Sequence, residues 1–367
     1  KALRYDLTVP FSRYVVQHQN ELTFPFKRYQ LQTVWRADRP QYGRFQEFLQ
    51  CDADIIGSNS LWHEIELCLL YDKIIKDLGL TGVSLRINNR KILYGFSELL
   101  GFENRFNDFT TILDKLDKIK FEGVANELTK QNFPKDKIEK IKEFMSLEGT
   151  NKFKIDKISK ALKNFKISKE GLNEQNFIID KIEESGGLDS IDLKFDLSLA
   201  RGLSYYTGTI FEITLPNFPD IGSIGGGGRY DNLTENFGRK NLSGVGISFG
   251  FERVMMALQK FKLFPKSLNN RVQVLIANFG SKTASTCNSI LKKLRAKGVN
   301  SEFYPEDCKL KKQLSYANNK KIEYVVLLGE DELKNEEFIL KNMNEGTQEN
   351  FKISQLESII LTNLKNN

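Results

Sequence analysis

Arg36, Arg44, Arg201 and Arg253 lie on separate stretches of the chain, with acids at Asp6, Asp38 and Asp54. A guanidinium stays charged and donates hydrogen bonds in a fork that matches carboxylate and phosphate oxygens. Several of them on strand-forming sequence, beside glycines that admit close approach, suit a nucleotide site. The plainer reading is a set of surface ion pairs, each worth little. Arg201 stands in ARGLSYYTG, beside Tyr205 and Tyr206. Before it, Leu193, Phe195 and Leu197 alternate with Lys194, Asp196 and Ser198, the pattern of a half-buried strand. After it, Thr209–Thr214 is rich in β-branched residues and reads as another strand. Arg201 is thereby expected where a sheet edge ends and a pocket begins.

The remaining inventory narrows the chemistry. The 367 residues include only 2 histidines, His18 and His63, which argues against a Ser-His-Asp triad or a multi-histidine metal site. Catalysis falls to arginines, carboxylates, tyrosines and a hard cation. Cys51, Cys68, Cys287 and Cys308 are scattered, with no CxxC, which argues against a disulfide framework or zinc site and fits a reducing cytoplasm. A composition 40% hydrophobic and 28% charged is that of a globular protein, and the length allows two or three domains. No apolar run approaches the roughly 20 residues of a membrane span, and no signal-peptide pattern opens the chain. A cytoplasmic location without a membrane partner is expected. The net charge of +7 permits an anionic partner, but lies on a lysine- and asparagine-rich background that carries little information.

The elements follow from pattern. LRYDLTVPFSRYVVQHQ is expected to begin extended, turn at Pro10 and continue as a helix carrying Tyr14 and Val15. FPFKRYQLQTVWRADRPQYGRFQEFLQCDADIIG reads as strand, turn, strand, dense in arginine. Residues 60–78 have helical spacing, with Gly79 as cap and His63 in a structural place. Residues 111–186 hold 16 lysines against 5 aspartates and 9 glutamates at helical period, a mostly solvated helical face. Residues 225–228 are four consecutive glycines without a following GKS or GKT, hence no Walker A loop; alone they read as a strand packed against a neighbour. GVGISFGFERV is a strand entering an amphipathic helix with Arg253 in its first turns. From Arg271 the order is βαβαββα, with helices expected at 285–295, 309–319 and 355–364 and a linker near Phe264-Pro265-Lys266.

WRADRPQYGRFQEF resembles motif 2 of the class II aminoacyl-tRNA synthetases, and GVGISFGFERV resembles their motif 3. LRYDLT, ARGLSYYTGTIFE and GGGGRYDNL narrow the resemblance to histidyl-tRNA synthetases, over nearly the whole chain. The resemblance implies an α/β (α+β) fold: an antiparallel-sheet catalytic domain (residues 1–108 and 186–265), a helical insertion (109–185) and a C-terminal mixed-sheet anticodon-binding domain (271–367). It implies a ligase that activates L-histidine with ATP to histidyl-adenylate and transfers it to tRNA(His). Arg36 would grip the α-phosphate, and Asp38, in the family's glutamate position, would help hold the nucleotide. Arg44 and Arg253 would hold the distal phosphates, with Mg²⁺ sharing the charge. Arg201 would brace the α-phosphate and the attacking carboxylate. Asp6, Thr8, Gln50, Asp54, Tyr205, Tyr206 and Tyr230 match positions lining the amino-acid pocket. A phosphate oxygen of the adenylate is a candidate base for the transfer step. The inserted helices would touch the acceptor arm, and the C-terminal domain would read splayed anticodon bases.

Two departures stand out. Ser204 occupies a position where the family usually has a carboxylate or amide. Motif 1, which builds the dimer interface in this class, does not occur in these residues, and since the chain opens with KALRYDLTVPF rather than methionine, an N-terminal segment is expected ahead of it. With that segment a homodimer is expected. Two alternatives share the fold: a catalytically inert paralogue, the regulatory subunit of ATP phosphoribosyltransferase, and a synthetase-like sensor of uncharged tRNA. The arginines and residues 271–367 count against both.

Overall fold

The computed structural model describes residues 2–202, 205–264 and 272–365, in two compact units that divide at Leu263 and Phe264. Ser204, Pro265 and Lys266 lie outside the described residues. Among these residues no helix is long and apolar enough to cross a membrane.

The first unit is built on a seven-stranded sheet. Its strands are β1 (Phe26–Trp35), β2 (Glu47–Ile56), β3 (Val83–Asn89), β4 (Ile191–Phe195), β5 (Thr209–Thr214), β6 (Gly225–Tyr230) and β7 (Gly244–Gly250). Their spatial order is β1-β2-β7-β6-β5-β3-β4, antiparallel throughout except for the β3–β4 pair. Period-two alternation gives the sheet two unlike faces. Ile55 of β2, Leu85 and Ile87 of β3, Phe211 and Ile213 of β5, and Val245 and Ile247 of β7 are buried in one apolar core. Helices α2 (Trp62–Asp77), α3 (Arg90–Leu100) and α8 (Lys166–Glu184) add Tyr71 and Ile75, Ile92 and Phe96, and Ile178 and Ile182 to that core. The intervening strand residues face the other way, and they are mostly polar or glycine.

Between α3 and α8 run α4 (Phe106–Leu113), α5 (Leu116–Lys130), α6 (Lys135–Met145) and α7 (Asn151–Ala161). They turn one apolar edge inward, through Ile112, Leu128, Ile141 and Ile158, and leave the lysine-rich remainder to solvent. Helix α9 (Phe251–Lys260) follows β7 directly.

The second unit is a five-stranded sheet, order β12-β11-β10-β8-β9, from β8 (Val274–Ile276), β9 (Ser301–Phe303), β10 (Tyr324–Leu327), β11 (Glu337–Asn342) and β12 (Gln348–Lys352). β8 pairs in parallel with β9 and β10; the other pairs are antiparallel. Helices α10 (Ser281–Ala296) and α13 (Leu356–Lys365) cover one face through Ile290, Leu294 and Ile360; α11 (Leu310–Asn319) covers the other through Ala317.

Local expectations fail at four places. Pro10 makes no turn: α1 (Thr8–Gln17) has already begun, and Pro10 sits in its first turn, where no backbone N–H is needed for the helix. β4 stops at Phe195 because Asp196 bends the chain, accepting hydrogen bonds from Ser198 N at 2.9 Å and from Arg86 Nε at 2.7 Å. α10 starts four residues before its expected position. A short helix, α12 (Glu330–Lys334), forms where none was expected, with Glu332 accepting from the N–H of Gly329 at 2.9 Å.

Candidate active site

The polar face of the first sheet forms the floor of a cleft of about 1030 Å³. Alternation places Gln50, Asp52 and Asp54 of β2, Glu212 of β5, Gly226, Gly228 and Tyr230 of β6, and Gly246 and Ser248 of β7 along it. Every residue assigned a role from the sequence lines this cleft: Asp6, Thr8, Arg36, Asp38, Arg44, Gln50, Asp54, Arg201, Tyr205, Tyr206, Tyr230 and Arg253. Neither His18 nor His63 does.

One end of the cleft is cationic. Arg36, just past β1, stacks its guanidinium over Tyr5 (4.4 Å to the ring centroid) and Phe48 (4.9 Å) and donates from Nε to Tyr5 O at 3.2 Å. Among the described residues no carboxylate pairs with it, so its charge stays available to a ligand. The loop from β1 to β2 turns at Gly43 (φ 69°), and carries Arg44 with Nε 3.8 Å from Asp38. Arg253, in the first turn of α9, anchors that loop: Nε donates to Gly43 O and Nη1 to Ser223 O, each at 2.6 Å. Its guanidinium pKa is lowered, first by burial and then by the like charges of Arg44 and Arg36. An anion in the cleft relieves that repulsion.

Arg201 approaches from the opposite wall. Its φ of 58° is left-handed, a strained conformation for a residue with a side chain, costing on the order of 1–3 kcal/mol. That conformation lays the guanidinium along β6, where a Cβ on Gly226 would fall 2.7 Å from Arg201 Cζ. Only glycine leaves this room. Arg201 Nη1 lies 3.4 Å from Glu212 Oε1.

The other end is a buried carboxylate pocket. Asp54 is 2% exposed; Tyr230 Oη donates to its Oδ1 at 2.7 Å, and Arg28 Nη2 lies 2.9 Å from its Oδ2. Asp6 accepts from Val9 N, at the start of α1, and from Tyr205 Oη, both at 3.2 Å. Tyr205 packs against Tyr206 (4.8 Å between centroids) and edge-on to Tyr230 (6.4 Å). Burial raises the pKa of all three phenols, which stay protonated as donors.

Sequence reasoning missed Asp52, two residues from both Gln50 and Asp54 on the same face of β2. The period of two was the signal available. Burial, and next the charge of Asp54, push its carboxyl up to about 7. Asp52 Oδ1 and Gln50 Oε1 are buried without a hydrogen-bond partner among the described residues. Buried acceptors left unpaired cost free energy, so the pocket favours a ligand bearing N–H donors and positive charge. Arg86 of β3 and its partner Glu212 were missed as well; both line the cleft.

A largely antiparallel sheet that gathers arginines at one end of its polar face and carboxylates at the other, with a separate mixed α/β unit in the same chain, is the build of a class II aminoacyl-tRNA synthetase. The comparisons with known proteins specify which. The family described as "Histidyl-tRNA synthetase" matches residues 2–254, and "Anticodon binding domain" matches residues 273–363. The histidine–tRNA ligase of Christiangramia forsetii is 49% identical over 360 residues, covering 98% of this chain and 79% of that protein. That of Flavobacterium johnsoniae is 47% identical over 361 residues, 98% of this chain and 76% of the relative. The crystal structure of histidyl-tRNA synthetase from Nostoc sp. PCC 7120 superposes with a TM-score of 0.78 at 31% identity, over 99% of this chain and 84% of its own. The chain belongs to the histidyl-tRNA synthetase family.

Proposed function

We propose that the cleft joins L-histidine to tRNA(His) in two steps, working as a histidine–tRNA ligase. One observation carries the assignment of residues: mutually repelling arginines, with Arg36 lacking a carboxylate partner among the described residues, converge on the same floor as buried, unsatisfied acceptors. ATP lies with its phosphates among the arginines, Arg36 on the α-phosphate, Arg44 and Arg253 on the distal ones, and Asp38 helping to hold the nucleotide. L-Histidine enters the carboxylate end. Asp6, Thr8, Gln50 and the neighbouring Asp52 receive its ammonium group; Asp54, Tyr205, Tyr206 and Tyr230 surround the imidazole. A polar pocket of this kind rejects analogues that lack ring nitrogens, because its acceptors would be buried unpaired.

The histidine carboxylate then attacks the α-phosphorus in line, and pyrophosphate leaves. The chain supplies alignment and fixed positive charge where negative charge develops. Arg201 touches both the α-phosphate and the attacking carboxylate. In the second step the terminal ribose hydroxyl of the tRNA attacks the histidyl carbonyl and AMP departs. No histidine of the protein takes part, in keeping with the position of His18 and His63 outside the cleft.

Among the described residues no cluster of three or more His, Cys, Asp or Glu side chains could cage a cation. Mg²⁺ would enter with ATP. There it would add positive charge at the distal phosphates, beside Arg44 and Arg253. Residues 109–185 act as the inserted helical domain, residues 271–367 bind the anticodon, and the working form is a homodimer in the cytoplasm. The test of the assignment is Arg201→Ala: adenylate formation falls by at least about 10²-fold while thermal unfolding is unchanged. Near-normal activity would remove Arg201 from the chemistry.

A further inference from the structure

Arg86 holds three carboxylates at once. Its Nη1 lies 2.6 Å from Asp117 Oδ2 and 2.8 Å from Glu212 Oε2, and its Nε lies 2.7 Å from Asp196 Oδ2. Nη2 donates to Ser198 Oγ at 3.0 Å. Arg86 and Glu212 are direct cross-strand partners in the β3–β5 ladder, so the backbone fixes their separation. The second oxygen of Glu212 faces Arg201 Nη1 at 3.4 Å. One carboxylate thus connects two guanidiniums, both of which line the cleft.

Asp117 belongs to a different part of the unit. It lies in the first turn of α5, three residues beyond Asp114, whose carboxylate approaches the 201–202 turn: a Cβ on Gly202 would sit 3.0 Å from Asp114 Oδ2. Behind Arg86 is a second cavity of about 280 Å³, lined by Phe144, Met145 and Ile158 of the inserted helices and by Leu197 of the sheet edge. The helices and the sheet are therefore not packed solid here, and the Asp117–Arg86 pair crosses from one to the other beside that space. Asp117 is 66% exposed and Arg86 13%. An ion pair with one exposed member contributes little to stability, so its value is directional.

We propose that Arg86 is a positioning residue for Arg201, acting through Glu212, and that Asp117 couples this arrangement to the inserted helices, so that their placement sets the rate of adenylate formation. The inference rests on the role of Arg201 given above. Glu212 is held by a residue that cannot lose its charge, and it presents a fixed oxygen to Arg201. When α5 shifts, Arg86 loses one of its three carboxylates and its fork can turn, moving Glu212 and then the arginine at the reacting phosphate.

The test is Asp117→Asn in histidine-dependent ATP–pyrophosphate exchange, with KM and kcat measured separately for ATP and histidine. The expected result is a fall in kcat of roughly five- to tenfold, typical of coupling through a packed network, with both KM values and the melting temperature unchanged. Asp117→Glu restores most of the loss. In an Arg201→Lys background the same Asp117→Asn change has less than a twofold further effect, because the group through which it acts is already altered. A kcat within twofold of wild type, a change confined to KM, or a full additive loss in the Arg201→Lys background would each overturn the proposal. Absence of exchange from the wild-type protein would instead refute the functional reading on which it rests.

Discussion

Replacing Gly226 by alanine separates the stability of the sheet from the aim of Arg201. The new Cβ would stand 2.7 Å from Arg201 Cζ and Nη2 and 2.8 Å from Nη1. Ordinary carbon contacts begin near 3.5 Å, so the guanidinium must withdraw by about an ångström. It is the free end of a flexible side chain and can do so. The fold loses a 3.4 Å contact with Glu212 and gains the lower unfolded-state entropy of alanine, roughly 0.4–1 kcal/mol. Net stability therefore changes by less than about 1 kcal/mol, a few degrees in melting temperature at most. The chemistry is less tolerant: displacing a preorganised donor from developing charge costs about 10²–10³ in rate, or roughly 2.7–4 kcal/mol. Gly227→Ala supplies the contrast. Its Cβ would meet Gly246 O at 2.1 Å and Ile247 Cα at 2.8 Å, backbone atoms of the neighbouring strand that cannot retreat without opening the sheet. Pyrophosphate exchange and a thermal melt on the two variants suffice: G226A stays folded with kcat down at least about 10²-fold, and G227A fails to fold. A folded G226A with wild-type kcat would refute the placement of Arg201 at the reacting phosphate.

Two further predictions concern the ends of the cleft. Asp52 titrates near 7 in the fold and near 3.9 when unfolded, so the folded state holds the extra proton between those values. Stability is accordingly full below about pH 4, declines as pH rises from there through 7 and levels off above it, with a total loss on the order of 4 kcal/mol. Asp52→Asn removes that decline, and denaturant melts at pH 5 and pH 8 should show a variant that gains on the wild type only at the higher pH; parallel behaviour would contradict the burial argument. Arg36→Ala takes one charge-assisted contact from ATP, about 1.5–3 kcal/mol, and should lower kcat/KM for ATP by roughly 10–10²-fold. An unchanged ATP dependence would remove Arg36 from the phosphate site.

Much of this architecture was legible because its signals are local. The alternation of Leu193, Phe195 and the Thr209–Thr214 run reveals strands whatever their neighbours, and the β1–β2 hairpin announces itself by turn residues between two such runs. Legibility ends where meaning depends on which strands are adjacent. Glu212 reads only as a polar residue in TIFEIT, and Arg86 only as a charge in VSLRINN, until the order β6-β5-β3-β4 sets them side by side. Asp52 shares its face with Gln50 and Asp54 in the sequence itself, yet its surroundings depend on β7, far along the chain, which sets Ser248 opposite it. Pro10 misled for a different reason: a proline in the first turn of a helix and one in a turn look alike until the position of the helix start is known.

The proposed function requires one cleft to hold L-histidine and ATP in line for adenylate formation. Its most direct test is amino-acid-dependent exchange of labelled pyrophosphate into ATP, run on the purified protein with Mg²⁺ and each of the standard amino acids in turn. Exchange is expected with L-histidine alone. No exchange from folded protein, or equal exchange with an amino acid lacking an imidazole, would contradict it.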